Sequence, residues 1–165
     1  MASTAVSRKS EFQGLLLEDL QPGMTAAYAR TVTETDVVMF AGVSGDMNPV
    51  HTNREYAEHT IFKGPIAHGM LTASFISTVL GTRLPGPGCI YVSQDLRFKA
   101  PVRIGDTVRA EVTVSEIVPA KKRVVLTTRC LVGDKVVLEG TAVVMVPSRA
   151  DFAPEPLPQA VSFAG

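Results

Sequence analysis

The chain has 165 residues, the usual size of one domain and enough to bury a real core. Hydrophobic residues make up 45% and charged residues 19%, ordinary for a globular protein. Formal net charge is zero, so no basic field draws nucleic acid, and an anionic ligand would need a local cluster of cations.

Residues 1–14 are small and polar and carry no apolar stretch of the kind a secretory signal needs. They are expected to form a flexible tail, followed by one domain over residues 15–147. Leu15-Leu16-Leu17 and Leu20 anchor the chain entry, and Gln21-Pro22-Gly23 is a turn signal. Thr25 to Val32 reads as a first strand. Thr33-Glu34-Thr35-Asp36 resembles a capping box. The helix it opens runs through Val37, Val38, Phe40 and Ala41 and ends at the glycines around Gly42 and Gly45.

The stretch from Phe40 to Ser74 organises the rest. Asp46 stands five residues before His51. Asn48-Pro49 between them is expected to stop any helix, because proline disfavours the α conformation in the residue before it. Gly45 allows a turn just before the carboxylate. Asp46 and His51 are therefore expected on one stiff loop, aimed into one space. Asn53 can cap a short helix over residues 54–58, and Lys63-Gly64-Pro65 breaks the chain again. Ile66 to Thr82 holds no Asp, Glu, Lys or Arg. It is slightly short for a membrane span and carries several Ser, Thr and Gly, so it reads as a helix buried in a soluble protein, starting near His68 or Gly69. Leu84-Pro85-Gly86-Pro87-Gly88 cannot continue it.

From Cys89 onward the period changes to that of strands. Ile90 to Phe98, Thr107 to Val118, Arg123 to Val132 and Val136 to Val146 are rich in β-branched residues. Gly133-Asp134 marks a tight hairpin. Residues 148–165 contain Pro154, Pro156 and Pro158 and are expected to be an extended, weakly held tail. The order implies an α+β fold: one strand, helices, one long buried helix, then four antiparallel strands in a meander that covers it. No repeat or second domain boundary is visible. Cys89 and Cys130 form no Cys-x-x-Cys pair and read as reduced, partly buried thiols of a cytoplasmic protein.

An acid–base role for Asp46 and His51 would have the carboxylate and the imidazole share a water molecule. Spacing alone supports this poorly, since loop aspartates and satisfied histidines are common. Gly45, Asn48-Pro49 and the apolar helix that follows strengthen it. His68-Gly69-Met70 opens that helix, where backbone N–H groups are free and the dipole is positive. Gly69 is then either an oxyanion donor or a glycine needed for close packing. Ser74 supports the site or bonds back to a helix carbonyl. The spacing of His51, His59 and His68 matches no compact metal motif. No nucleophile elbow or phosphate-binding loop is present, and neither cysteine sits in a nucleophile motif. Arg97 and Lys99 flank Phe98 and read first as a solvated strand face.

The run Phe40-Ala41-Gly42-Val43-Ser44-Gly45-Asp46-Met47-Asn48-Pro49-Val50-His51, with Ala57, resembles the signature of the MaoC-like, (R)-specific enoyl-CoA hydratases. The likeness continues through Pro65 to Leu71, Leu80-Gly81, Phe98 to Val102 and Gly105-Asp106. It implies a hot-dog fold, a long helix wrapped by a curved antiparallel sheet, paired edge to edge in a homodimer. It implies reversible syn addition of water to a trans-2-enoyl-CoA such as crotonyl-CoA, of the short-chain type that feeds polyhydroxyalkanoate synthesis. Asp46 and His51 would be catalytic, Gly69 N–H would be the oxyanion hole, and Ser74 would support them. No cofactor and no metal is implied; the CoA is part of the substrate, and no membrane or nucleic-acid partner is expected. A hot-dog thioesterase, a dehydratase acting on a branched or dicarboxylic acyl-CoA, and a non-catalytic acyl-CoA binder stay open as alternatives.

Overall fold

The computed structural model describes residues 13–152, so most of both expected tails lies outside the described residues. The inner end of each expected tail is tied down. Gly14 N–H donates to Pro87 O at 2.9 Å. Arg149–Phe152 form a 3-10 turn instead of an extended segment. The Asp151 carboxylate closes that turn by accepting the Ser148 N–H at 2.9 Å.

Strand β1 (Thr25–Thr31) leads into helix α1 (Glu34–Ser44). The capping box is present: Asp36 N–H donates to Thr33 Oγ1 at 3.2 Å and Thr33 N–H to Asp36 Oδ2 at 2.9 Å. Gly45 ends the helix in the left-handed region, φ 76°. Asn48-Pro49 does not end regular structure here but starts it. Asn48 Oδ1 accepts the Val50 N–H at 3.2 Å and caps a one-turn helix, α2 (Pro49–Thr52). Proline suits a first helical position, where an N–H would lack an acceptor anyway. His51 therefore rides on a helical turn rather than on a loop. Asn53 Oδ1 accepts the Tyr56 N–H at 2.9 Å and caps α3 (Arg54–Glu58).

Helix α4 (Gly69–Thr82) is the central helix. It buries Thr72, Phe75, Ile76, Val79 and Leu80, spaced three and four apart, against β1, β3 and β4. Its other flank, at Met70, Ser74 and Ser77, is exposed. The strands β2 (Ile90–Phe98), β3 (Thr107–Val118), β4 (Arg123–Val132) and β5 (Lys135–Met145) join β1 in one five-stranded antiparallel sheet. Along β3 the inward positions Val108, Ala110, Val112 and Val114 are buried. Opposite them lie Val132, Cys130, Thr128 and Leu126 of β4.

The strand order is β1-β3-β4-β5-β2, so the expected four-strand meander is corrected. Only β3, β4 and β5 run as consecutive neighbours, while β2 pairs with β5 at the opposite edge from β1. The link over residues 99–106, with Pro101 and Gly105, is too long for a tight hairpin. It crosses instead beneath the start of α4, where Ala67 N–H donates to Val102 O at 2.7 Å. It then reaches β1, where Gly105 N–H donates to Val32 O at 2.8 Å. This crossing brings the end of β2 beside the first turn of α4.

Candidate active site

A cavity of about 540 Å³ opens between α2, the start of α4 and the end of β2. Asp46, His51, His68, Gly69, Phe98 and Leu138 are among its lining residues. Asp46 sits in the turn between α1 and α2. Its Oδ1 accepts the Asn48 N–H at 3.2 Å, and no other donor reaches its carboxylate among the described residues. His51 is held by the chain segment that leads into α4. Ile66 N–H donates to Val50 O at 3.4 Å, and His51 Nδ1 lies 2.8 Å from Ile66 O. A carbonyl only accepts, so Nδ1 carries the proton and Nε2 keeps a free lone pair. Asp46 and His51 thus each present an acceptor, and a carboxylate oxygen of Asp46 and a ring nitrogen of His51 lie within 4.8 Å of one another. One water donating to both at about 2.8 Å spans such a gap.

Gly69 is the first residue of α4, so its N–H has no acceptor within the helix. The close-packing reading of this glycine holds, and its N–H is also free to donate into the cavity. A Cβ placed there would lie 2.6 Å from Phe98 Cε1, so only glycine lets the ring and the helix start meet. The structure brings Asp46, His51 and Gly69 to one cavity. Ser74 is not part of it. Its hydroxyl donates to Leu71 O at 2.6 Å, and it lines a separate cavity of about 550 Å³ with Ser77, Tyr91 and Leu96.

Sequence reasoning passed over one residue. His68, weighed only as the start of a helix and as one of three histidines without metal-ligand spacing, is buried beside the pair, with its ring 3.8 Å from that of His51. Its position directly before Gly69 was the available signal. Asp46, His51 and His68 are also the described residues that could together offer ligands to a metal ion. His59, the third histidine, is not in this group. Cys130 is buried, and desolvation pushes its thiol up to about 12, which leaves no thiolate for nucleophilic chemistry. Lys99 pairs with Glu139 at 3.0 Å and Arg97 with Asp95 at 3.5 Å, a solvated strand face as expected.

The MaoC like domain family matches residues 19–136. The chain belongs to the MaoC-like family. An (R)-specific enoyl-CoA hydratase of Rhodospirillum rubrum is 61% identical over 132 residues, covering 80% of this chain and 92% of that protein. A 3-hydroxybutyryl-CoA dehydratase of Methylorubrum extorquens is 49% identical, covering 87% of this chain and 92% of that protein. Among solved structures, the R-hydratase PhaJ1 from Pseudomonas aeruginosa in its unliganded form superposes with a TM-score of 0.78 at 44% identity. That match covers 82% of this chain and 88% of PhaJ1. These MaoC-like neighbours share the hot-dog fold, and the helix-on-sheet arrangement described above is this chain's version of it. No helix among the described residues is long and apolar enough to cross a membrane.

Proposed function

We propose that this MaoC-like protein is a hydro-lyase that reversibly adds water to a trans-2-enoyl-CoA, giving an (R)-3-hydroxyacyl-CoA. The observation that carries the reading is the facing of two free acceptors, Asp46 and His51 Nε2, and a helix-terminal N–H at Gly69 across one cavity. The named activities of the Rhodospirillum and Methylorubrum relatives support the same chemistry.

The geometry suggests the order of events. The thioester carbonyl accepts from Gly69 N–H at the positive end of α4, which draws electrons from C3 and stabilises the enolate that develops. Asp46 and His51 Nε2 hold one water by its two hydrogens. His51 Nε2 takes one proton as the oxygen bonds to C3. The carboxylate of Asp46 faces the imidazolium formed. The imidazolium then returns its proton to C2, and since both atoms arrive from one face, addition is syn.

No metal or redox group is needed for these steps. Two further readings accompany the proposal. The catalytic unit spans residues 15–147, which fits the family match over residues 19–136. Two free, unpaired thiols suit a reducing compartment such as the cytoplasm.

The test is to follow crotonyl-CoA absorbance with purified protein beside a thiol probe. Loss of the enoyl band without free thiol, and an (R) product on chiral analysis, is expected. Free thiol with the double bond intact would move the protein to the thioesterases.

A further inference from the structure

Among the described residues, the turn that carries Asp46 is held almost entirely by its own neighbours. Gly45 N–H donates to Ala41 O, Asp46 N–H to Ser44 Oγ, and Met47 N–H to Gly45 O. One hydrogen bond reaches it from a distant element. His68 Nε2 lies 3.0 Å from Asp46 O.

His68 touches both members of the catalytic pair. Its ring packs on that of His51, and the ring of Phe40 of α1 lies 5.0 Å from it between centroids. The three rings join α1, α2 and the start of α4. The side chain is 1% exposed, and its Nδ1 is buried without a hydrogen-bond partner. A carbonyl partner requires the proton on Nε2, and among the described residues no carboxylate hydrogen-bonds the ring. A charged imidazolium buried in that way would be costly, so the ring is the neutral Nε2–H tautomer.

We propose that His68 is a positioning residue: its Nε2–H pins the main chain of Asp46 while its ring backs His51, so that both acceptors face the same water. It acts through them, by holding the main chain of one and the ring of the other. The role rests on the hydratase reading for its kinetic consequence, though not for its geometry. A displacement of about 1 Å at a reacting group costs on the order of a hundredfold in rate. The binding surface for the acyl-CoA is left intact when only the pair shifts.

Two variants and one substrate-free measurement test this. His68→Leu removes the donor and the ring; His68→Gln restores an N–H within reach of Asp46 O. In His68→Leu, kcat for crotonyl-CoA is expected to fall on the order of a hundredfold, with KM within about threefold of the parent. His68→Gln is expected to regain about tenfold of that loss. Imidazole nitrogen NMR of the unliganded protein at neutral pH should show His68 with Nε2 protonated and Nδ1 bare. A His68→Leu enzyme with kcat within about twofold of the parent, or a His68→Gln enzyme as impaired as His68→Leu, overturns the proposal. So does a charged or Nδ1-protonated His68. If the parent protein fails to hydrate crotonyl-CoA, the hydratase reading falls, and the tautomer of His68 still decides whether it holds the Asp46 turn.

Discussion

Asp46 and His51 differ in how firmly they are built in. His51 is fixed on a capped helical turn with Nδ1 committed to Ile66 O, which sets its tautomer before any substrate arrives. Asp46 has one intraloop donor and is exposed in the single chain, so its carboxylate keeps capacity for water. Both should be needed for turnover and neither for folding. Asp46→Asn and His51→Ala are each expected to lower kcat by roughly a hundredfold to ten-thousandfold, with thermal melting close to the parent. Gly69→Ala belongs to the same series. Its methyl group would displace the Phe98 ring into the cavity, so it should lose activity while keeping the N–H donor. Steady-state kinetics beside circular dichroism checks all three, and normal activity in a folded Asp46→Asn or His51→Ala would remove that residue from the site.

At the scale of elements, two short helices do most of the placing. α1 delivers Phe40 and then stops at Gly45, where the left-handed backbone turns the chain toward Asp46. Its start depends on the reciprocal bonds between Thr33 and Asp36. The Asp36 carboxyl accepts from both the Thr33 N–H and the Thr33 hydroxyl, which hold it below its usual range, with Arg30 adding to the effect. A carboxyl depressed in the folded state contributes stability above the ordinary carboxylate range. That contribution disappears as pH falls through the folded value. Thr33→Ala should cost about 1 kcal/mol at neutral pH. Urea titrations of parent and variant should converge as acid protonates Asp36. An undiminished gap in acid would mean that the Asp36 carboxylate is not part of the cap's energy. The Asn48 cap of α2 shows why local rules misled here. A proline rule that forbids helix before residue 49 is silent about helix after it, and the side chain of Asn48 decides that a turn forms.

Over the whole molecule, the exposed flank of α4 and the edge strand β2 face the same side. Ile90, Tyr91, Val92 and Phe98 are all exposed along β2, and among the described residues β2 has no partner on its outer edge. An apolar edge with unpaired backbone groups is a template for another strand. We propose that a second copy of the chain pairs there, which would also cover the cavity beside Ser74. Light scattering should then give twice the 17.6 kDa chain mass. Val92, 46% exposed at a bulge in the β2–β5 pairing, is the position to challenge. Val92→Lys should shift the protein toward monomer, and a monomeric parent would refute the pairing. Much of this architecture was readable from the chain alone. The periods of the apolar residues marked every strand and the central helix to within about one residue, because burial on one face imposes its repeat on the sequence. Asp46, His51 and Gly69 stood out because their glycines and proline announce local backbone geometry. Strand partners did not, since period reports which face is buried and not which neighbour lies beside it; β2 joined β5 only through a link that crosses under α4. Nor did the place of Ser74 or the role of His68. Whether a helix hydroxyl turns to the site or back to its own carbonyl, and whether His68 reaches back across twenty-two residues to the main chain of Asp46, follow from packing between distant segments. No local pattern of residues encodes that packing.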